Sequence, residues 1–123
     1  MTEKPIPPEV FTQRKQQFLA LCDELCEQFY KKNVSYNDSF FRTKQSHKNP
    51  LDKKINKIDF YIQIRRKTSR LAAFNDKKLM GKKFSIIDDE GEEDTIKDLG
   101  IYCIMELMLR RMKGGKKWKP LAN

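Results

Sequence analysis

Three stretches of this chain repeat their apolar residues with the period of an α-helix, and that periodicity limits the fold more than any other feature. In the first, Phe18, Cys22, Leu25 and Phe29 follow at spacings of four, three and four, which sets them on one helix face. Pro7-Pro8-Glu9 precedes them, and proline is tolerated in a first turn whose N–H groups have no partner. The spacing predicts a helix from Pro8 to Lys32, with Asn33 able to end it in a left-handed conformation. A second stretch, Leu51 to Phe74, carries Ile55, Ile58, Ile62, Leu71 and Phe74 as its expected inward face. Its other faces hold Lys53, Lys54, Lys57, Arg65, Arg66, Lys67 and Arg70. A third, Asp89 to Met112, has Ile96, Leu99, Cys103 and Leu107 in one stripe, with Gly114-Gly115 as its stop.

Three long helices with apolar sides to share predict an all-α bundle. The connection from Asn33 to Pro50 is long, yet it carries Tyr36, Phe40 and Phe41, so it reads as a functional loop rather than a disordered one. The second connection, Asn75 to Asp89, holds Phe84, Ile86 and Ile87, enough for a brief strand. Either connection has room for a fourth short helix. A chain of 123 residues makes one domain, here residues 1–115, followed by a basic tail at 116–123 that contains Trp118.

Several function classes drop out at this level. No run approaches the ~20 apolar residues of a membrane span, and Met1 to Pro8 lacks the apolar block of a secretion signal, so a cytoplasmic protein is expected. Cys22, Cys26 and Cys103 lie within apolar patterns and read as reduced core thiols, with no further Cys/His pair to complete a zinc site. His47 stands alone, Ser39 and Ser85 lack triad partners in sequence, and no Gly-rich phosphate loop of the G-x-x-x-x-G-K type occurs. The 26 Lys+Arg against 17 Asp+Glu give a net charge of +9. Its direct reading is nucleic-acid binding through phosphates, with the second helix and the basic tail as the surface.

The acidic residues are distributed less evenly than the basic ones. Seven carboxylates fall within the eleven residues from Asp88 to Asp98. Glu90, Asp94 and Asp98 are spaced i, i+4, i+8, so they share a face and repel one another. A hard divalent cation would offset that repulsion, since Mg²⁺ takes carboxylate oxygens and bridges to phosphates. Glu24 and Glu27, an i, i+3 pair on the first helix, offer a facing set. Asp88, Asp89 and Glu92 have a simpler explanation, because acids favour the first turns of a helix for its dipole. The alternative for the deeper acids is a solvated face.

Two segments resemble a known family. Lys32-Asn33-Val34-Ser35-Tyr36-Asn37-Asp38-Ser39-Phe40 is similar to the K-N-x-x-Y-G-x-S-[FW] segment of the phage and bacterial nucleotide modification associated domain 1 family, with Asn37 where that family has glycine. Asp89-Glu90 and then Glu93 to Tyr102 resemble its second signature, roughly D-E-x-x-x-D-T-x-x-D-L-x-x-Y. The acidic helices are in turn similar to those of MazG-like all-α nucleoside triphosphate pyrophosphohydrolases, which hold Mg²⁺ with an ExxE pair and an ExxD pair. Glu24-Leu25-Cys26-Glu27 matches the first pair; Glu90 and Asp94 are spaced by four rather than three.

The resemblance implies an all-α, Mg²⁺-dependent protein that binds free (d)NTPs in phage or bacterial nucleotide metabolism and assembles as a dimer or tetramer. Glu24, Glu27, Glu90, Asp94 and Asp98 would hold the metal, with Glu24, Glu27 and Asp94 closest to the chemistry. Metal-held water would attack the α/β-phosphate bridge, with a carboxylate as general base. Lys54, Lys57 and Arg70 are the expected phosphate contacts, although lysines and arginines on a helix also serve as a solvated face. Tyr36 and Asn33 suit a nucleobase, by stacking and amide hydrogen bonding; Tyr36 and Phe40 could equally pin the loop. The changed acidic spacing also admits a non-catalytic protein that sequesters or senses a nucleotide.

Overall fold

A computed structural model of the chain describes residues 3–45, 50–81 and 86–112. These form four helices: α1 (Pro8–Ser35), α2 (Ser39–Gln45), α3 (Pro50–Leu79) and α4 (Ile86–Arg111). The fold is all-α, with three long helices and one short one inside the first connection.

Helix α1 spans 28 residues, about 42 Å at 1.5 Å per residue. Pro8 occupies its first turn, Glu9 lies near its N-terminus and Lys32 in its last turn, both on the side the helix dipole favours. The helix runs three residues past the expected end at Lys32. Its left-handed residues are Asn37 (φ 53) and Asp38 (φ 58), rather than Asn33, whose amide instead donates to Asp38 Oδ1 at 3.1 Å. This turn redirects the chain into α2. Helix α3 continues five residues beyond Phe74, and Gly81, at φ 69, follows it. Ile86 and Ile87 open α4 instead of lying in a strand, while Phe84 and Ser85 lie outside the described residues. So do His47, the expected Gly114-Gly115 stop and the basic tail with Trp118; α4 ends at Arg111.

Helix α4 is the common partner of α3 and α1. Among the described residues, Phe41, Phe74 and Ile101 are the buried large apolar side chains, and Thr95 is buried too, its hydroxyl donating to the Gly91 carbonyl at 2.5 Å. Gly91 lets α3 and α4 approach, because a Cβ there would lie 3.2 Å from both Arg70 Nη2 and Phe74 Cζ. A chain of aromatic contacts links all four helices: Phe29 to Phe41 (6.2 Å), Phe41 to Phe40 (5.1 Å), Phe40 to Tyr102 (5.6 Å) and Tyr102 stacked on Phe60 (5.9 Å). Such edge and offset contacts add to plain area burial.

Two expected core faces need correction. Ile55, Ile58 and Ile62 are 52%, 56% and 44% exposed, because α3 carries two apolar stripes. Phe60, Ile64, Leu71 and Phe74 fall on the opposite side at 100° per residue, and α4 packs there. In α4, Ile96 and Leu107 are likewise exposed. Cys22 and Cys103 are half-buried, Cys26 is exposed rather than a core thiol, and all three are free.

Candidate functional site

Helix α1 meets α4 around Leu25 and Gly100, where a Cβ on the glycine would stand 3.6 Å from Leu25 Cδ1. Ion pairs flank this contact. Lys97 Nζ donates to Glu24 Oε1 at 2.6 Å, and Lys32 Nζ to Asp98 Oδ1 at 3.1 Å. Glu24, Gln28, Lys31 and Lys32 reach one side of α1 because residues three and four apart are neighbours on a helix, as are Asp94 and Asp98 on α4. An open cleft of about 370 Å³ lies between the two helices, lined by Gln28, Lys31, Lys32, Asp94 and Asp98. The cleft is open to solvent, and three of its five lining residues are exposed.

The cleft carries both signs of charge. Lys31, Lys32 and Asp94 are exposed and Asp98 is half-exposed, so the Lys32–Asp98 pair is screened and contributes no more than ~1 kcal/mol. A ligand displaces such a pair easily. Lys97, whose side chain is 20% exposed, is held more firmly. Its hydrogen bond to Glu24 raises its pKa above the usual lysine range, with the charges of Glu24, Glu93 and Asp94 adding to the effect and desolvation opposing it.

The expected site residues separate into three groups. Asp94 and Asp98 line the cleft. Glu24 is engaged by Lys97, and Glu27 is exposed; neither lines the cleft. Glu90 belongs to α4, but its side chain lies outside the described residues. Among the described residues, no three Asp, Glu, His or Cys side chains gather closely enough to hold a metal ion. Lys54 and Lys57 are exposed on α3, and Arg70 lies over the Phe74 ring at 5.9 Å; none of the three lines the cleft. Phe40 does pin its segment, through Phe41 and Tyr102. Tyr36 is 65% exposed, and Asn33 is occupied with Asp38.

The cations that do line the cleft, Lys31 and Lys32, were not anticipated as ligand contacts. The available signal was their place three and four residues after Gln28, on the same helix as the ExxE pair. A second polar cluster was also unforeseen. Lys44 Nζ donates to Asp59 Oδ2 at 2.8 Å and to the Tyr102 hydroxyl at 3.3 Å, and Tyr102 donates to Asp59 Oδ2 at 3.2 Å. Lys44 also sits 4.6 Å from the Phe40 ring centre. It fastens α2 to α3 and α4 and reads as structural.

Comparison with protein-family models, with curated proteins and with solved structures finds no match to this chain. Among the described residues, no helix is long and apolar enough to cross a membrane.

Proposed function

We propose that the cleft between α1 and α4 binds a nucleotide together with Mg²⁺, and that the protein is a relative in function of the NTP pyrophosphohydrolases its motifs resemble. The observation that carries this reading is the facing of Lys31 and Lys32 with Asp94 and Asp98 across one cleft. Phosphates need cations, and Mg²⁺ needs hard oxygen donors. Two carboxylates fit that ion, because Mg²⁺ keeps several waters and completes its shell from one or two carboxylates plus substrate phosphates. Asp94 and Asp98 would hold it. A bound Mg²⁺ supplies charge neutralisation between phosphates and a more acidic water.

The chain's own groups divide the remaining work. Lys31 and Lys32 neutralise phosphate oxygens, Lys32 turning from Asp98 toward the ligand. The Gln28 amide donates or accepts toward the ligand's polar edge, and Tyr36, exposed beyond the end of α1, offers a ring for base stacking. Glu24 would serve as a proton acceptor only after Lys97 releases it. That engagement favours a second reading, a protein that binds a nucleotide without cleaving it.

The test is a panel of ribo- and deoxyribonucleoside triphosphates, each with Mg²⁺, read by melting temperature and by pyrophosphate release. A rise in melting temperature that is lost in Asp94→Asn supports the cleft. Pyrophosphate release, abolished in Glu24→Gln, supports the enzyme; stabilisation without release supports the binder. No shift and no release across the panel overturns both.

A further inference from the structure

The side of α3 turned away from α4 combines bare aliphatic side chains with charges of one sign. Leu51, Ile55, Ile58 and Ile62 follow at spacings of four, three and four. With Tyr61 they fall within about 60° of Ile58 around the helix axis, at 100° per residue. Leu51 and Tyr61 are each 64% exposed, and the three isoleucines are exposed as well.

The same step sets Lys54 and Arg65 inside this apolar arc, with Lys57 and Arg66 on its two edges. All four are exposed, and none joins an ion pair among the described residues. The acids of α3 are Asp52, Asp59 and Asp76. Positions 52 and 59 lie roughly 100° or more from Ile58, and Asp59 is committed to Lys44. Asp76 comes about four turns after Ile62. The stretch from Leu51 to Arg66 therefore presents apolar surface and positive charge together, with no acid in the arc.

We infer that this face of α3 docks on an anionic lipid surface, its apolar row turned into the headgroup region and its four cations meeting the lipid charges. A helix that lies in the plane of a bilayer makes this combination of contacts. Lysine and arginine bury their stems and return their charges to the headgroups, so Lys54 and Arg65 fit inside the arc, and tyrosine suits the boundary between water and lipid. Charge complementarity fixes the sign of the surface, because cations beside a membrane gain only where anionic lipid is present.

Shape and chemistry set the other occupants aside. An amphipathic partner helix docks in a groove, whereas this face is the ridge of a single helix; the cleft of this chain lies between α1 and α4. A nucleic acid would meet the cations but leave the leucine and three isoleucines against hydrated phosphates. Single-strand binders use several rings as stacking platforms, and this arc holds one, Tyr61.

Flotation of the full chain with vesicles of phosphatidylcholine alone, or of phosphatidylcholine and phosphatidylserine in equal amounts, tests the inference, with helicity followed by circular dichroism. The wild type should float with the mixed vesicles, remain in solution with phosphatidylcholine alone, and be released by salt. Lys57→Ala should weaken binding roughly fivefold and Ile58→Ser roughly tenfold. If Ile58→Ser loses helicity, Ile55→Ser takes its place. A chain carrying Lys116→Ser, Lys117→Ser and Lys119→Ser should still float. A wild type that stays in solution with the mixed vesicles overturns the inference. So does flotation lost in the triple tail variant but kept in Ile58→Ser and Lys57→Ala, because the tail would then make the contact. Binding to single-stranded RNA but not to vesicles, weakened by Lys57→Ala and untouched by Ile58→Ser, would likewise overturn it in favour of a nucleic acid.

Discussion

Lys44 and Asp59 meet at 2.8 Å, with the Lys44 side chain only 10% exposed and that of Asp59 35% exposed. The ammonium is therefore committed to one carboxylate and the Tyr102 hydroxyl, and α2 is held to the rest of the fold through it. Asp59→Asn removes the charge that Lys44 was buried against, and the expected cost is about 1–3 kcal/mol, read from urea unfolding at neutral pH.

The same pair gives acid sensitivity a definite sign. The Lys44 hydrogen bond comes first among the causes that hold the Asp59 carboxyl below its usual range. Its contribution is present above the unfolded-state value near ~4 and is lost as pH falls through the lower folded-state value. Stability of the wild type should drop in that acid window, and Asp59→Asn should flatten the drop.

Tyr102 behaves in the opposite sense. Burial, and then the charge of Asp59, raise its hydroxyl pKa above the ordinary tyrosine value. Its contribution is present below the unfolded value and disappears as pH rises through the folded one. Ultraviolet titration should find one tyrosine that ionises after the others, and Tyr102→Phe should remove that late step.

The two helical glycines of α4 should respond differently to a methyl group. Alanine in place of glycine favours a helix interior by about 1 kcal/mol. At Gly100 the new Cβ meets Leu25 Cδ1 at 3.6 Å, an ordinary contact, so Gly100→Ala should stabilise by most of that amount. At Gly91 it meets the buried Phe74 ring and Arg70 at 3.2 Å, and Gly91→Ala should show no gain. Thermal unfolding of both variants gives the comparison; equal gains would show that α3 yields freely.

Glu106 has a buried carboxylate oxygen, Oε2, with no hydrogen-bond partner among the described residues, while Oε1 stands 3.8 Å from Arg110 Nε. An unsatisfied buried acceptor costs about 1–3 kcal/mol. Glu106→Met, similar in length and without that acceptor, should stabilise the protein by about 1 kcal/mol, as read by its denaturation midpoint.

In the cleft, Lys31→Ala and Lys32→Ala should each weaken phosphate-dependent binding. A hydrogen bond to a charged group is worth about 1.5–3 kcal/mol, or roughly ten- to hundredfold in affinity. Titration calorimetry with inorganic triphosphate and Mg²⁺ measures the loss, and Lys54→Ala on α3 serves as the unaffected comparison.

The all-α class and the three long helices were legible in the chain because the 3.6-residue period survives wherever one face packs, whereas the short α2, which has too few turns to show a period, was not. What periodicity could not decide was which of two stripes on α3 faces inward. Ile55, Ile58 and Ile62 are as apolar as Phe60, Ile64, Leu71 and Phe74, and only the close approach of α4 at Gly91 breaks the tie. The cleft was half legible for a related reason. Asp94 and Asp98 stood out as a like-charged row that needs company, whereas Lys31 and Lys32 are ordinary helix-surface lysines until α4 is laid against them. Lys97 taking Glu24 is a contact across 73 residues, beyond the reach of any local pattern.

The dependence of α1 on α4 also orders events in time. Within this chain α1 is made before α4, so Leu25 waits for Gly100 on the later helix before it finds cover, whereas Phe29 meets Phe41 on the neighbouring α2. Meanwhile α3 and α4, neighbours in the chain, can close on each other through local contacts, which form fastest. A chain that holds α1 and not yet α4 therefore adds Leu25 to the apolar surface that Phe11 and Phe18 expose even in the finished fold.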